Sequence, residues 1–162
     1  MNTPKIALVS ICMLMTQIMF GQAYEVNQML SAYYGMKNAL IADDGKTASI
    51  KASEILKWVE ALPENNLNDS QLKTWKENSA IIKSEAEYIS ETTDVELQRD
   101  QLNELSVSLY SLLKGLKMNE NAVYQQYCPM KKAYWLSAEK QIKNPYYGEK
   151  MLVCGSVKET IK

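Results

Sequence analysis

From Tyr24 to about Lys117 the apolar positions recur every three or four residues, the spacing that puts side chains on one face of a helix. Val26, Met29, Tyr33, Met36 and Leu40 form a first stripe, interrupted by Asp43-Asp44-Gly45, which supplies a turn. Ala48, Ala52, Ile55, Val59 and Leu62 form a second, closed by Pro63, which cannot continue a helix. The Asn- and Asp-rich stretch from Glu64 to Ser70 reads as a loop. Leu72, Trp75, Ser79, Ile82, Ala86 and Ile89 make a third stripe, and Leu102, Leu105, Leu109, Leu112 and Leu116 a fourth, ending near Gly115. Thr93 and Glu96 stand in capping-box register ahead of the fourth. Short connections between amphipathic helices predict a mainly all-α fold, an antiparallel four-helix bundle.

The pattern changes after Met118. Val123–Cys128 and Ala133–Leu136 are rich in β formers, Asn144–Gly148 is a turn-type run, and Met151–Gly155 follows it. These segments predict an irregular, short-stranded C-terminal tail, about 119–162, packed on the bundle within a single domain of residues 24–162. About 45 residues would make a marginal core by themselves.

The beginning of the chain is different again. Lys5 precedes an apolar run from Ile6 to Phe20, and Gly21 and Ala23 place small residues at the −3 and −1 positions of a cut after Ala23. This is the pattern of a secretory signal peptide spanning residues 1–23, and it predicts a periplasmic or secreted product. Its removal takes away Lys5 and Cys12, leaving 17 basic and 19 acidic residues and two cysteines, Cys128 and Cys154. An even pair in an exported protein points first to a disulfide.

Composition excludes more than it selects. The whole chain has a net charge of −1, so it carries no general electrostatic footprint for nucleic acid. It has no histidine, which removes Ser-His-Asp and Cys-His mechanisms, the common zinc sites and Glu-x-x-His di-iron bundles. The acidic groups Glu85 with Glu87, and Asp94, Glu96 and Asp100, read as solvated helix faces rather than acid/base pairs. Tyr134, Trp135, Tyr146 and Tyr147 read as packing residues. No nucleophile–base pair or cofactor motif remains, and the expectation is a protein that is not an enzyme.

The one suggestive constellation is in the tail, where Cys128-Pro129-Met130 is answered by Met151-x-x-Cys154. Two thiolates and two thioethers are a soft donor set that favours Cu(I) over hard cations. By spacing and compartment alone the same two cysteines read first as a structural disulfide closing a loop of about 25 residues, stabilising the fold by ~3 kcal/mol. A return through Asn144–Gly148 would lay the two sulfur-bearing segments side by side.

These residues also carry a resemblance. Tyr127-Cys128-Pro129-Met130, Ala133 to Ser137, Asn144 to Gly148 and Lys150 to Gly155 resemble the signature of a bacterial exported domain, domain of unknown function 3347. Upstream, Tyr33-Tyr34, Ala39-Leu40, Ala42-Asp43-Asp44, Gln98-Arg99 and Glu104-Leu105-Ser106 are similar to residues of the same family. Members of that family stand alone or fused to copper and heavy-metal efflux adaptors. The resemblance therefore implies metal handling, with an efflux-system component as partner. Tyr127 to Met130 is also similar to the core of heavy-metal-binding segments that continue with His-Pro, where this chain has Lys131-Lys132.

Overall fold

The computed structural model describes residues 5–162, with side chains from Gly21 onward. Residues 1–4 of the expected signal peptide, and the side chains of residues 5–20 with Cys12 among them, therefore lie outside what is described. Four long helices follow one another: α1 (Lys5–Ile41), α2 (Gly45–Ala61), α3 (Asp69–Glu91) and α4 (Val95–Leu116). Among the described residues no helix is long and apolar enough to cross a membrane.

Helices α2, α3 and α4 each begin where a short polar side chain satisfies free backbone N–H groups. Asp44 accepts from Thr47 N–H at 2.9 Å ahead of α2. Asn68 and Gln71 form a reciprocal capping box ahead of α3. For α4 the cap is Asp94, which accepts from Glu96 and Leu97, and not Thr93 as the box pattern predicts. Thr92 explains the one-residue difference, since its hydroxyl accepts from Asp94 N–H and holds the approach to the helix. Helix α4 closes on Lys117 in the left-handed conformation.

The four stripes meet as expected. α1 packs on α2, α2 on α3 and α3 on α4, with a lighter contact between α1 and α4. Met29, Tyr33, Met36, Leu40, Ile55, Ile82, Ile89, Leu102, Leu105, Leu109 and Leu112 are fully buried. Truncating either Leu105 or Leu109 to Ala is expected to cost ~2–5 kcal/mol, read from the guanidinium unfolding midpoint. At Gly45 the turn between α3 and α4 comes so close that an added Cβ would lie 2.0 Å from the Thr93 carbonyl oxygen. The Gln98 amide, fully buried, closes the same end by donating to the Gly45, Ile89 and Thr92 carbonyls.

The tail is more regular than its sequence predicts. Strands β1 (Val123–Cys128), β2 (Ala133–Ser137) and β3 (Ser156–Ile161) form an antiparallel sheet in the order β2-β1-β3. β1 and β2 fall on the two β-rich runs. β3 lies beyond Met151–Gly155, which instead continues from a 3-10 helix, Gly148–Met151, into a turn and irregular backbone. It is an edge strand exposed at every position but Ile161, so it lacks the buried alternation that marks a strand in sequence.

Polar contacts fasten the sheet to the bundle. Tyr134 N–H donates to Asn103 of α4 at 2.8 Å, and Lys131 pairs with Asp100 at 2.9 Å. The buried Tyr33 hydroxyl of α1 lies 2.6 Å from Ser106 of α4 and accepts from Leu136 N–H of β2 at 3.0 Å. Asn27 of α1 donates to the Met118 carbonyl and accepts from Glu120 N–H, fixing the entry to β1.

Candidate functional site

Cys128 is the last residue of β1, where a four-residue turn, Pro129 to Lys132, leads into β2. Lys132 takes the left-handed conformation that closes this turn, with φ 56°. The turn aims Lys131 N–H at the Cys128 sulfur, 3.4 Å away. On the other side of β1, Ser156 of β3 pairs with Tyr127, which brings Cys154 to the same end of the sheet.

The two sulfurs lie 3.8 Å apart, with Cys128 buried and Cys154 half-buried. Both cysteines are free thiols. The juxtaposition expected from the sequence is present, but its cause differs from the one expected. The sulfur-bearing segments do not form a hairpin with each other. Pairing of β3 along β1 brings them together, and Asn144–Gly148 supports them from beneath.

Asn144 provides that support. It is fully buried, its backbone N–H donates to the Leu152 carbonyl, and its side-chain amide donates to the Cys154 carbonyl at 2.8 Å. Its side-chain oxygen accepts from Tyr146 N–H, an Asx turn of the kind Asn-Pro sequences adopt. Pro145 is gripped in turn by Arg99 of α4, whose Nε donates to the Pro145 carbonyl at 2.7 Å. The same guanidinium donates to the Leu40 carbonyl and pairs with Asp43 and Glu96. One buried side chain thus ties the turn between α1 and α2, helix α4 and the loop beneath the cysteines.

The aromatic residues of the tail serve packing, as expected for Trp135 and Tyr146. Their rings meet edge to face at 6.2 Å, and the Tyr146 hydroxyl donates to the Tyr134 carbonyl. Gly155, next to Cys154, has φ +150° and a backbone so close to Trp135 that an added Cβ would lie 2.7 Å from the ring.

The two thiols are not equivalent. Burial works to raise the Cys128 thiol, but donors from Lys131 N–H, the Asn144 amide, Cys154 and Met130 N–H outweigh it and hold the pKa below its usual value. Burial pushes Cys154 up, and its hydrogen bond to Cys128 and the negative charge there push it further. Cys128 is therefore the more readily ionised of the two thiols, and Cys154 the less.

Met130 and Met151 flank the pair on the same segments, but both side chains are solvent-exposed, Met130 to 65%. Among the described residues no three His, Cys, Asp or Glu side chains gather in a metal-sized group. Three of the acidic candidates have structural partners: Asp94 caps α4, Glu96 pairs with Arg99, and Asp100 with Lys131. The positioning residues Arg99 and Asn144 escape a reading of periodicity. The Asn-Pro dipeptide is the one local sign of the second.

The family described as protein of unknown function (DUF3347) matches residues 29–121. The chain belongs to this family. The DUF3347 match covers the bundle from within α1 to just before β1, and so contains Tyr33, Asp43, Gln98, Arg99 and Ser106. Each of these makes a buried or capping contact between elements, which gives the upstream resemblance a physical meaning. The match ends before the sulfur-bearing tail. No curated protein and no solved structure matches the chain.

Proposed function

We propose that this DUF3347 protein is an exported, non-enzymatic metal-handling protein that binds Cu(I) through Cys128 and Cys154. In this reading Met130 and Met151 are accessory thioether donors, and the partner is a component of a copper or heavy-metal efflux system. The observation that carries the reading is the 3.8 Å separation of two free sulfurs held under backbone N–H donors. Two ligands on one ion with metal–sulfur bonds of about 2.3 Å in a tetrahedral arrangement stand roughly 3.8 Å apart. The pair is therefore spaced close to what two ligands of one shared ion require.

Chemistry favours a soft monovalent ion. A structural zinc site takes four ligands, whereas two thiolates with a recruited thioether suit Cu(I). Met130 and Met151 have flexible, unbranched side chains on either side of the pair. Binding displaces the proton that Cys154 holds, so apparent Cu(I) affinity should rise with pH until both thiols are ionised. Titrating the reduced protein against a competing Cu(I) chelator at several pH values tests this. Affinity that falls with increasing pH, or no competition at any pH, sinks the reading.

A second reading rests on the same separation. Oxidation of the pair would pin β3 and the loop to the β1–β2 turn, leaving a structural interaction module. Intact mass measured without reductant separates the two. Quantitative loss of two hydrogens in freshly isolated protein assigns the disulfide module, and two alkylatable thiols assign the metal reading.

A further inference from the structure

A second polar cavity lies on the other side of β2, away from the sulfur pair. It has a volume of about 80 Å³ and is lined by Tyr34, Lys37 and Asn38 of α1 and by Ser137, Glu139 and Lys143 of the segment after β2. By the measure in which a water takes about 10–15 Å³, it holds several waters or one acetate-sized group. Lys37 is the unusual member. The residue as a whole is only 5% exposed, and its ammonium has no hydrogen-bond or ion-pair partner among the described residues and keeps contact with solvent.

A largely buried cation that no protein group pairs directly can pair with an anion that enters the cavity. Burial already draws the Lys37 pKa down to about 8, with Glu139 opposing the shift and Lys143 adding to it. The charges around the cavity decide which anion it suits. Lys37 and Lys143 contribute two positive charges and Glu139 one negative, with Glu139 set 3.8 Å from Lys143. The wall is one positive charge in excess. That excess suits a monoanion, and Glu139 would repel the second charge of a phosphate dianion.

We propose that this cavity is a binding site for a single carboxylate group, with Lys37 as its charged anchor and Lys143 as a second cation at the rim. Tyr34 and Asn38 supply neutral hydrogen-bonding groups on the α1 side. The site is independent of the cysteine pair and of the metal reading.

The test is an NMR titration of the full chain with sodium acetate against sodium chloride at equal ionic strength, following the Ser137, Glu139 and Lys143 amides. Saturable shifts in acetate and none in chloride are expected. Lys37→Met, which keeps the length of the side chain and removes its charge, should weaken acetate binding more than tenfold. Lys143→Ala, at a partly exposed position, should weaken it by about two- to fivefold. Gly-Gly, with a chain-terminal carboxylate, and acetate, a free acid, distinguish the two sources of the group; tighter binding of either keeps the site. Tighter binding of inorganic phosphate than of acetate would overturn the assignment. So would acetate shifts that persist in Lys37→Met, or no saturable shift in the unmodified protein.

Discussion

Arg99→Ala should lower the stability of the fold by about 3–5 kcal/mol, a large share of what a domain of this size has. The Arg99 side chain is 5% exposed. Its fork donates to two main-chain carbonyls, Leu40 at 2.8 Å and Pro145 at 2.7 Å, as well as to Asp43 and Glu96. The two carboxylates are largely exposed, at 61% and 74%, and can return to water with little loss. The cost comes from the carbonyls left without a donor and from the space vacated in a packed junction. Arg99→Lys should recover only part of it, because one ammonium cannot span a fork that serves three elements. Chemical denaturation with an unchanged m-value would check the magnitude. Faster alkylation of the buried Cys128 in Arg99→Ala would check that the loop beneath the cysteines has loosened. A loss below about 1 kcal/mol would mean that the tail holds its position without this residue.

The second large effect is on metal. Cys128→Ser is expected to reduce Cu(I) affinity by more than about 100-fold, beyond what loss of an outer-shell partner costs. A serine hydroxyl stays neutral at any working pH, and the hydrogen bonds that favour a thiolate at this position then have no charge to hold. Cys154→Ser should fall in the same class. Met130→Leu and Met151→Leu should each cost less than tenfold, because exposed thioethers contribute neither charge nor a fixed position. Chelator competition on variants whose circular dichroism matches the parent gives the ranking. Unchanged binding in Cys128→Ser would remove the site.

The helices could be read from the sequence because each buries one face against a neighbour, and that requirement writes a period of three to four residues into the chain. Leu102, Leu105, Leu109 and Leu112 show it directly: predicted as one stripe, they are all fully buried. Strand β3 could not be read in this way. Its residues are held by main-chain hydrogen bonds to β1 and bury almost no side chain, so Val157, Lys158 and Glu159 carry no pattern. The proximity of Cys128 and Cys154 was legible from matched spacing. The agent that creates it, pairing of an edge strand, was not. The structural roles of Arg99, Gln98, Asn144 and Lys37 were hidden for a common reason. Each is a polar residue at a buried position, and its role depends on carbonyls or cavities far away in the chain.

The close packing of Gly155 on the Trp135 ring has a practical consequence. Trp135 is fully buried and its neighbour across the contact is the residue bonded to Cys154. Any displacement of Cys154, by an ion or by a bond to Cys128, must move Gly155 against the indole or away from it. With Trp58 and Trp75 replaced by Phe, the intrinsic emission would come from this one ring. The molecule would then carry a built-in optical gauge of its sulfur pair, readable in dilute solution without an added dye.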